Sequence, residues 1–392
     1  MNSRERVLTA LAFKEADRVP IDLGGSTGAS GIHVIAYSRL KKYLGIAGAV
    51  KCNDVMQQLA QVEDAVRKRL HADVIQVNPL AFHKKWAPLA LHTSLDGEGV
   101  LYPAGLGIQT GSDGTRLLKN PAGQRFLMPP EAYYFDAEDG RSWFSWPYEL
   151  NDENLEALQR NTRRIYEETD YAVAANFGGS FFSVEPEFMM DLMLEPNKIE
   201  DMLALKCDEL IKKYSLLHQA IGEYTFCICF ADDFGAQNAP MISPDTFRER
   251  IAPHYKRFTS WLHSRTSWKL YLHSCGAVEP LIDGIIEMGA DILNPVQISA
   301  FGMNPAELKG KYGGKIVFWG GGCDTQNILG KADKAILEEH VKNNIRIFAP
   351  GGGFVFNQVH AIQALVSPED ICTFFDTAFE YGRYPVKYDM QT

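Results

Sequence analysis

The chain has 392 residues, 46% of them apolar and 22% charged, the balance of a globular protein long enough for one large barrel-type domain or two medium ones. Its net charge of −10 argues against a nucleic-acid partner, and its seven scattered cysteines, an odd number, point to metal binding or plain burial rather than disulfides. The amino terminus, Met1-Asn-Ser-Arg-Glu-Arg, mixes acid and base without a signal-peptide core, and no apolar run is long enough to span a bilayer, so a cytoplasmic location is expected.

Ser3 to Phe13 reads as a short helix with Ser3 as its cap. Arg18-Val-Pro-Ile-Asp-Leu-Gly is a first short strand running into a glycine-rich loop, Gly24 to Gly31, which lacks the Lys-Ser/Thr of a phosphate loop. Helical periodicity covers Ile32 to Leu44 and Asp54 to Leu70. Asp73 to Pro79 is a second strand that ends at Asn78, where the following proline keeps the chain extended. From His83 to Trp146 the pattern turns to short alternating runs rich in glycine, proline and aromatics, with turn signals at Asp96-Gly, Asp113-Gly and Asp139-Gly. We expect a β-rich insertion, 83–146, within a single domain over 1–392, forming a lid or rim.

Asn151 to Asp170 is helical, and Tyr171 to Asn176 is a third strand. Helices follow at Phe188 to Leu194 and Lys198 to Gly222, then a fourth strand from Thr225 that ends in the paired acids Asp232 and Asp233. Ser243-Pro244 opens a helix to Arg265, with Ser243 as cap and Pro244 as first residue. Four more strands begin at Trp268, Asp291, Lys315 and Gly353, with helices after them at Glu279 to Met288, Asn304 to Tyr312, Asp333 to Phe348 and Pro368 to Tyr381. Short apolar strands alternating with helices predict parallel strands covered on both faces, and eight such units fit a closed (β/α)8 TIM barrel; a doubly wound open sheet is the alternative, but the glycine fingerprint expected after its first strand is absent.

A barrel carries its chemistry at the C-terminal ends of its strands. Those ends read Asn78, Asn176, Asp232-Asp233, His273-Ser-Cys275, Asn294, Cys323-Asp324 and Asn357-Gln-Val-His360. His273 and Cys275 lie one residue apart and point to the same side of an extended chain, which makes half of a zinc site. Cys323, at another strand end, supplies a third candidate ligand and leaves a fourth position open. The competing reading is a buried thiol and a hydrogen-bonded core histidine.

Asp232 and Asp233 alternate across their strand, so only one enters the pocket, as a fourth metal ligand, a partner to His273 or a proton donor, with an ion pair to a neighbouring loop as the competing reading; Asp233 is taken as the catalytic one. His360 is the second catalytic candidate. Asn78, Asn176 and Asn357 are expected to bind substrate. Cys227 and Cys229 sit mid-strand among apolar residues and read as buried, and Cys52, Cys207 and Cys372 read as structural. The aromatics Trp143, Trp146, Phe181, Phe182 and Phe234 are either pocket lining or core.

With Asp232-Asp-Phe-Gly-Ala-Gln, Ile242-Ser-Pro, His254-Tyr-Lys, His273-Ser-Cys-Gly, Leu293-Asn-Pro-Val-Gln, Phe318-Trp-Gly-Gly-Gly-Cys-Asp-Thr-Gln and Pro350-Gly-Gly-Gly-Phe, the chain resembles the uroporphyrinogen decarboxylase superfamily, and within it the corrinoid-dependent methyltransferases. True decarboxylases of this superfamily carry an arginine-rich amino-terminal motif and an aspartate at the end of the second strand. Here the loop is Asp22-Leu-Gly-Gly-Ser-Thr-Gly-Ala-Ser and the strand ends Val77-Asn78-Pro79, so both features are missing. His273, Cys275 and Cys323 match the His-x-Cys…Cys zinc motif of the methyltransferase branch. The resemblance implies a TIM barrel and Zn2+. It also implies transfer of a methyl group from a methoxylated small molecule, with an aromatic one favoured, to the corrinoid (cobalamin) cobalt of a partner corrinoid protein. A homodimer is compatible with it. A methylcorrinoid:thiol methyltransferase, a decarboxylase and a non-catalytic tetrapyrrole- or corrinoid-binding barrel are the alternatives.

Overall fold

Seven parallel strands form one sheet: β1 (Val74–Val77), β2 (Ala172–Ala175), β3 (Cys227–Ala231), β4 (Lys269–His273), β5 (Ile292–Asn294), β6 (Val317–Trp319) and β7 (Phe354–Val355). Neighbours in sequence are neighbours in the sheet, from β1 to β7 in order. Helices connect most of them, among them Asp152–Glu168, Pro196–Ile221, Ala252–Arg265 and Lys334–Phe348, and Pro368–Tyr381 follows the last. The computed structural model describes residues 1–81, 89–94, 97–104, 106–120, 123–140 and 148–386.

The two edges of the sheet are joined by residues 20–22. Phe356 N–H donates to the Pro20 carbonyl at 2.8 Å and Asp22 N–H to the Phe356 carbonyl at 2.9 Å. On the other side Asp73 N–H donates to the Ile21 carbonyl at 2.7 Å. The sheet therefore closes as a (β/α)8 barrel whose first stave is reduced to a few residues. Pro20 has no N–H to add to the ladder, which helps keep that stave short.

The barrel interior is filled rather than hollow. Val74, Ala174, Cys229, Tyr271, Trp319 and Val355 form part of one buried cluster, in which small side chains sit beside Tyr and Trp. The helix Ser3–Leu11 adds Val7 and Leu11 to the same cluster, and a larger core lies between strands and helices. Asn2, not Ser3, caps that first helix: its Oδ1 accepts from Glu5 N–H at 2.8 Å while Glu5 Oε2 accepts from Asn2 N–H at 3.1 Å. The Ser3 hydroxyl is drawn instead to Asp73 Oδ1 at 2.7 Å.

Between the first helices and β2 the chain departs from the helical expectation. Residues 54–70 contain a helix only at Asp64–Arg69, and before it the strands Val50–Asp54 and Leu59–Ala60 pair with each other. Val50–Asp54 also pairs in parallel with Gly99–Pro103, which pairs antiparallel with Leu89–Thr93. Sheet pairing here overrides the 3.6-residue pattern. A second small sheet, Gln109–Thr110, Arg116–Lys119, Arg125–Met128 and Asp136–Ala137, follows with Asp113-Gly and Asp139-Gly at turns. Its end reaches the barrel mouth, where Tyr134 OH bonds Gln363 Oε1 and the Tyr133 carbonyl meets His33 Nε2 at 2.9 Å. His83, Asp96, Trp143 and Trp146 lie outside the described residues. Among the described residues no helix is long and apolar enough to cross a membrane.

Asp73 ties this closure together. Its fully buried carboxylate receives Arg6 Nη1 at 2.6 Å, Arg18 Nη1 at 2.7 Å and Ile21 N–H at 2.9 Å. Asp73→Ala would leave the mostly buried Arg18 guanidinium without a carboxylate and Arg6 with Asp17 alone, and we expect it to cost about 3–5 kcal/mol of unfolding free energy in urea titration. Unchanged stability would show that the clamp is not needed for closure.

Candidate metal centre

Strand β4 lies between β3 and β5 in a register that sets His273 opposite Ala231 on one side and Asn294 on the other. Side chains alternate along it, so His273 shares the interior face with Tyr271. After His273 the chain turns through Ser274, Cys275 and Gly276. Gly276 (φ +85°) lies so close to the Gly235 backbone that a Cβ there would come within 2.3 Å of it, and this approach brings the Cys275 loop against the Asp233 loop.

The orientation of the His273 ring follows from one amide. Asn294 Nδ2 donates to the Trp319 carbonyl at 2.8 Å, so its Oδ1 must be the atom that faces His273 Nδ1 at 2.6 Å. An amide oxygen only accepts, so Nδ1 carries the hydrogen and Nε2 presents a bare lone pair. That Nε2 lies 3.3 Å from Cys275 Sγ. Asp233 Oδ1 accepts from Cys275 N–H at 2.9 Å and stands 3.7 Å from His273 Nε2. Gln297 Oε1 accepts from Gly276 N–H at 2.8 Å and completes the frame of the loop.

His360 arrives from beyond β7. Its Nδ1 accepts from Ala361 N–H at 2.8 Å, which turns Nε2 outward, and its ring centroid lies 6.0 Å from that of His273. Ligand atoms of His273, Cys275 and His360 all lie within 4.8 Å of one another, a group able to hold a metal ion. Burial pushes the Cys275 thiol above its ordinary value, the adjacent His360 pulls it down, and the Asp233 carboxylate adds to the rise. A metal needs a bare imidazole nitrogen and a thiol that gives up its proton to the ion, and this donor set fits that need.

Cys323 is not brought into the group. It is fully buried, its backbone carbonyl accepts from Val359 N–H at 3.1 Å, and its Sγ faces the Asp324 carbonyl at 3.6 Å. The thiol is thus near His360 along the backbone but turned to a different partner, and burial raises it far above its ordinary value.

The paired acids have separate fates. Asp232 is buried, and its Oδ2 accepts from Phe181 N–H at 2.7 Å and from Tyr255 OH. It anchors the loop after β2, while Asp233, with more than half its side chain exposed, faces the His273–Cys275 pair. Phe181, Phe182 and Phe234 are buried, Phe181 edge-on to Tyr255, Phe182 tilted against Phe234 and Phe234 edge-on to Phe247, so they belong to the core.

The three asparagines are spread out. Asn176 Nδ2 donates to the Ser26 carbonyl at 3.0 Å and Gln76 Oε1 at 3.1 Å. Asn78 Nδ2 donates to Asn53 Oδ1 at 2.9 Å and its Oδ1 accepts from Leu80 N–H at 3.1 Å. Asn357 is fully buried, with neither amide atom hydrogen-bonded. Sequence reasoning missed the orienting role of Asn294. It missed also a buried network below it, in which Asp22 accepts from Trp319 Nε1 at 2.9 Å and from Ser26 Oγ at 2.6 Å. The only signal was position: Asn294 ends a strand as His273 does.

A sequence profile described as uroporphyrinogen decarboxylase (URO-D) matches residues 183–381, the stretch that holds β3 to β7 and the whole group around His273. The chain belongs to the uroporphyrinogen decarboxylase family. A methyltransferase from Methanosarcina mazei shares the fold of this family member, with a TM-score of 0.59 at 16% identity over 97% of this chain and 99% of that one. Weaker likenesses are a putative vitamin-B12 independent methionine synthase from Listeria monocytogenes, TM-score 0.41 at 11% identity over 92% and 98% of the two chains, and the 3-keto-D-glucoside 4-epimerase of E. coli, TM-score 0.37 at 14% identity over 58% and 84%. No curated protein matches.

Desolvation raises the Asp232 carboxyl from its ordinary 3.8 to about 7, against the opposing hydrogen bonds from Tyr255 and Phe181. The folded state therefore keeps a proton that the unfolded chain releases. The resulting stabilisation is complete below the unfolded value and is lost as pH rises towards the folded one. Asp232→Asn should flatten the decline in melting temperature between about pH 4 and 7. An identical pH profile for the variant would show that Asp232 does not titrate as described.

Proposed function

We propose that this uroporphyrinogen decarboxylase family member is a zinc-dependent methyltransferase. It moves a methyl group from a methylated small molecule, methoxylated and aromatic in the favoured reading, to the cobalt of a corrinoid carried by a partner protein. The observation that carries the reading is the tautomer-locked His273 Nε2 at 3.3 Å from Cys275 Sγ, at the C-terminal end of a barrel strand. The departures from the decarboxylase pattern at 22–30 and 77–79, and a fold shared with a protein named a methyltransferase, support the branch.

Zinc bound at this group supplies a Lewis acid for the heteroatom that loses the methyl group. His273 and Cys275 are its ligands. The third is either Cys323, which would have to leave the Asp324 carbonyl, or His360, which already stands within reach. Asn294 keeps His273 in the ligating tautomer. Asp233 holds the Cys275 backbone and is placed to take or give a proton at the heteroatom. Asn357, whose buried amide has both a donor and an acceptor to offer, and Asn176 orient the substrate. The strands Arg116–Lys119, Arg125–Met128 and Asp136–Ala137 of the insertion form one wall of the pocket. The partner docks on the barrel mouth, where Phe301 is 75% exposed, its N–H held by the Gln237 carbonyl at 2.9 Å, and Met241 also stands free.

Metal analysis tests this directly. The purified protein should hold about one zinc per chain, lost in His273→Ala and Cys275→Ala together with methyl transfer to added cob(I)alamin. Cys323→Ala and His360→Ala, assayed side by side, assign the third ligand. Methyl transfer undiminished in Cys275→Ala would sink the reading. Asn294→Leu should leave the ligands in place yet weaken zinc binding about 10- to 100-fold in competition with a chelating dye.

A further inference from the structure

Four cationic side chains are buried among the described residues: Arg6, Arg18, Lys41 and Arg67. Arg6 and Arg18 share Asp73, and Lys41 Nζ meets Glu63 at 2.7 Å. Arg67 has no carboxylate partner. Its Nε donates to the Val74 carbonyl at 3.1 Å and its Nη2 to the Val62 carbonyl at 3.0 Å, which leaves Nη1 unbonded. The acids whose charge it feels are engaged elsewhere, Asp64 with Lys68 and Tyr171, Asp22 with Ser26 and Trp319. Buried charges are ordinarily paired, because taking a bare ion out of water is costly.

Arg67 lines a cavity of about 450 Å³ between the end of β1, the helix Asp152–Glu168 and the small sheet that contains Val50–Asp54. Lys51 and Arg164 also line it, and among the described residues no carboxylate does, although the whole chain carries a net charge of −10. Asn53, Gln76 and Asn78 add amides, while Val62, Ile75 and Ile165 give it an apolar wall. Its volume falls in the range of small-molecule sites. Three cations, amide donors and an apolar wall suit a ligand that has an anionic oxygen group on an apolar body.

We propose that this cavity is a binding site for a small organic anion, a carboxylate or phosphate on an apolar body, with Arg67 Nη1 meeting the anionic oxygens at the closed end and Lys51 and Arg164 holding them from the open side. The site uses none of the metal-binding residues, so it stands or falls separately from the methyltransferase reading. Asn78 belongs to it through its bond to Asn53.

Isothermal titration calorimetry of the full-length protein with benzoate and with phenyl phosphate tests the site and tells the two anion classes apart. Saturable binding of at least one, weakened by added chloride, is expected. Lys51→Gln and Arg164→Gln, both at exposed positions, should each weaken it about tenfold or more. Arg67→Lys, which keeps the charge but loses the fork, should weaken it further if the variant melts as a folded protein. No binding of either anion at millimolar concentration would overturn the proposal. So would binding that Lys51→Gln and Arg164→Gln leave unchanged. Neither result depends on zinc content or methyl transfer.

Discussion

An amide donates through nitrogen and accepts through oxygen, and at Asn294 that asymmetry sets the chemistry of the barrel mouth. The Trp319 carbonyl on β6 takes the amide hydrogen, so the oxygen is left for His273 on β4. The ring must then carry its proton on Nδ1 and turn a bare Nε2 towards Cys275. Three adjacent parallel strands have to keep register for this to hold, with His273 opposite Asn294 and Leu293 opposite Phe318. A slip of one residue on β5 would turn Asn294 to the helix side and free the imidazole. The loops beyond these strands are correspondingly tight. Val296, a β-branched residue, sits at φ +56°, and Gly320 (φ +125°) passes so close to Pro295 that a Cβ would lie 2.0 Å from its carbonyl oxygen.

Buried charge divides structural duty from chemical opportunity. Asp73, answered by two arginines, closes the barrel at its shortest stave. Asp232, answered by a tyrosine hydroxyl and a backbone N–H, fixes the loop after β2. Both are satisfied from within the chain and are read as support. Asp233 is half open beside the His273–Cys275 pair, and Arg67 is buried without an acid. Groups that the chain leaves available in this way are the ones a ligand can use.

Much of the architecture was legible in the residues. Seven strands and most helices fall where short apolar runs alternate with 3.6-residue patterns, because strand and helix periods are local properties of the chain. The region 54–70 was not legible. Val55, Met56, Leu59 and Val62 are buried there, but the chain is held by distant pairings, Val50 with Val100 and Leu59 with His33, which no local window contains. The first helix cap was misplaced by one residue because Ser3 had a stronger partner, the distant carboxylate of Asp73. Of the metal group, His273 and Cys275 could be read as a pair because one residue separates them on an extended chain. The meeting with His360 could not, since it depends on how the chain turns after β7. Nor could the direction of the Cys323 sulfur, a rotamer choice made between neighbours that only the packed loops define.

The sequence by itself therefore determined the alternation of strand and helix, the count of barrel units and the polar identity of each strand end, because these depend on residue type and on spacing within a few positions. The tertiary structure alone decided which of those ends meet, which of two adjacent aspartates is buried, which nitrogen of His273 is bare and which buried arginine has no carboxylate beside it. Those outcomes follow from strand register and ring closure, which bring together atoms from residues tens to hundreds of positions apart.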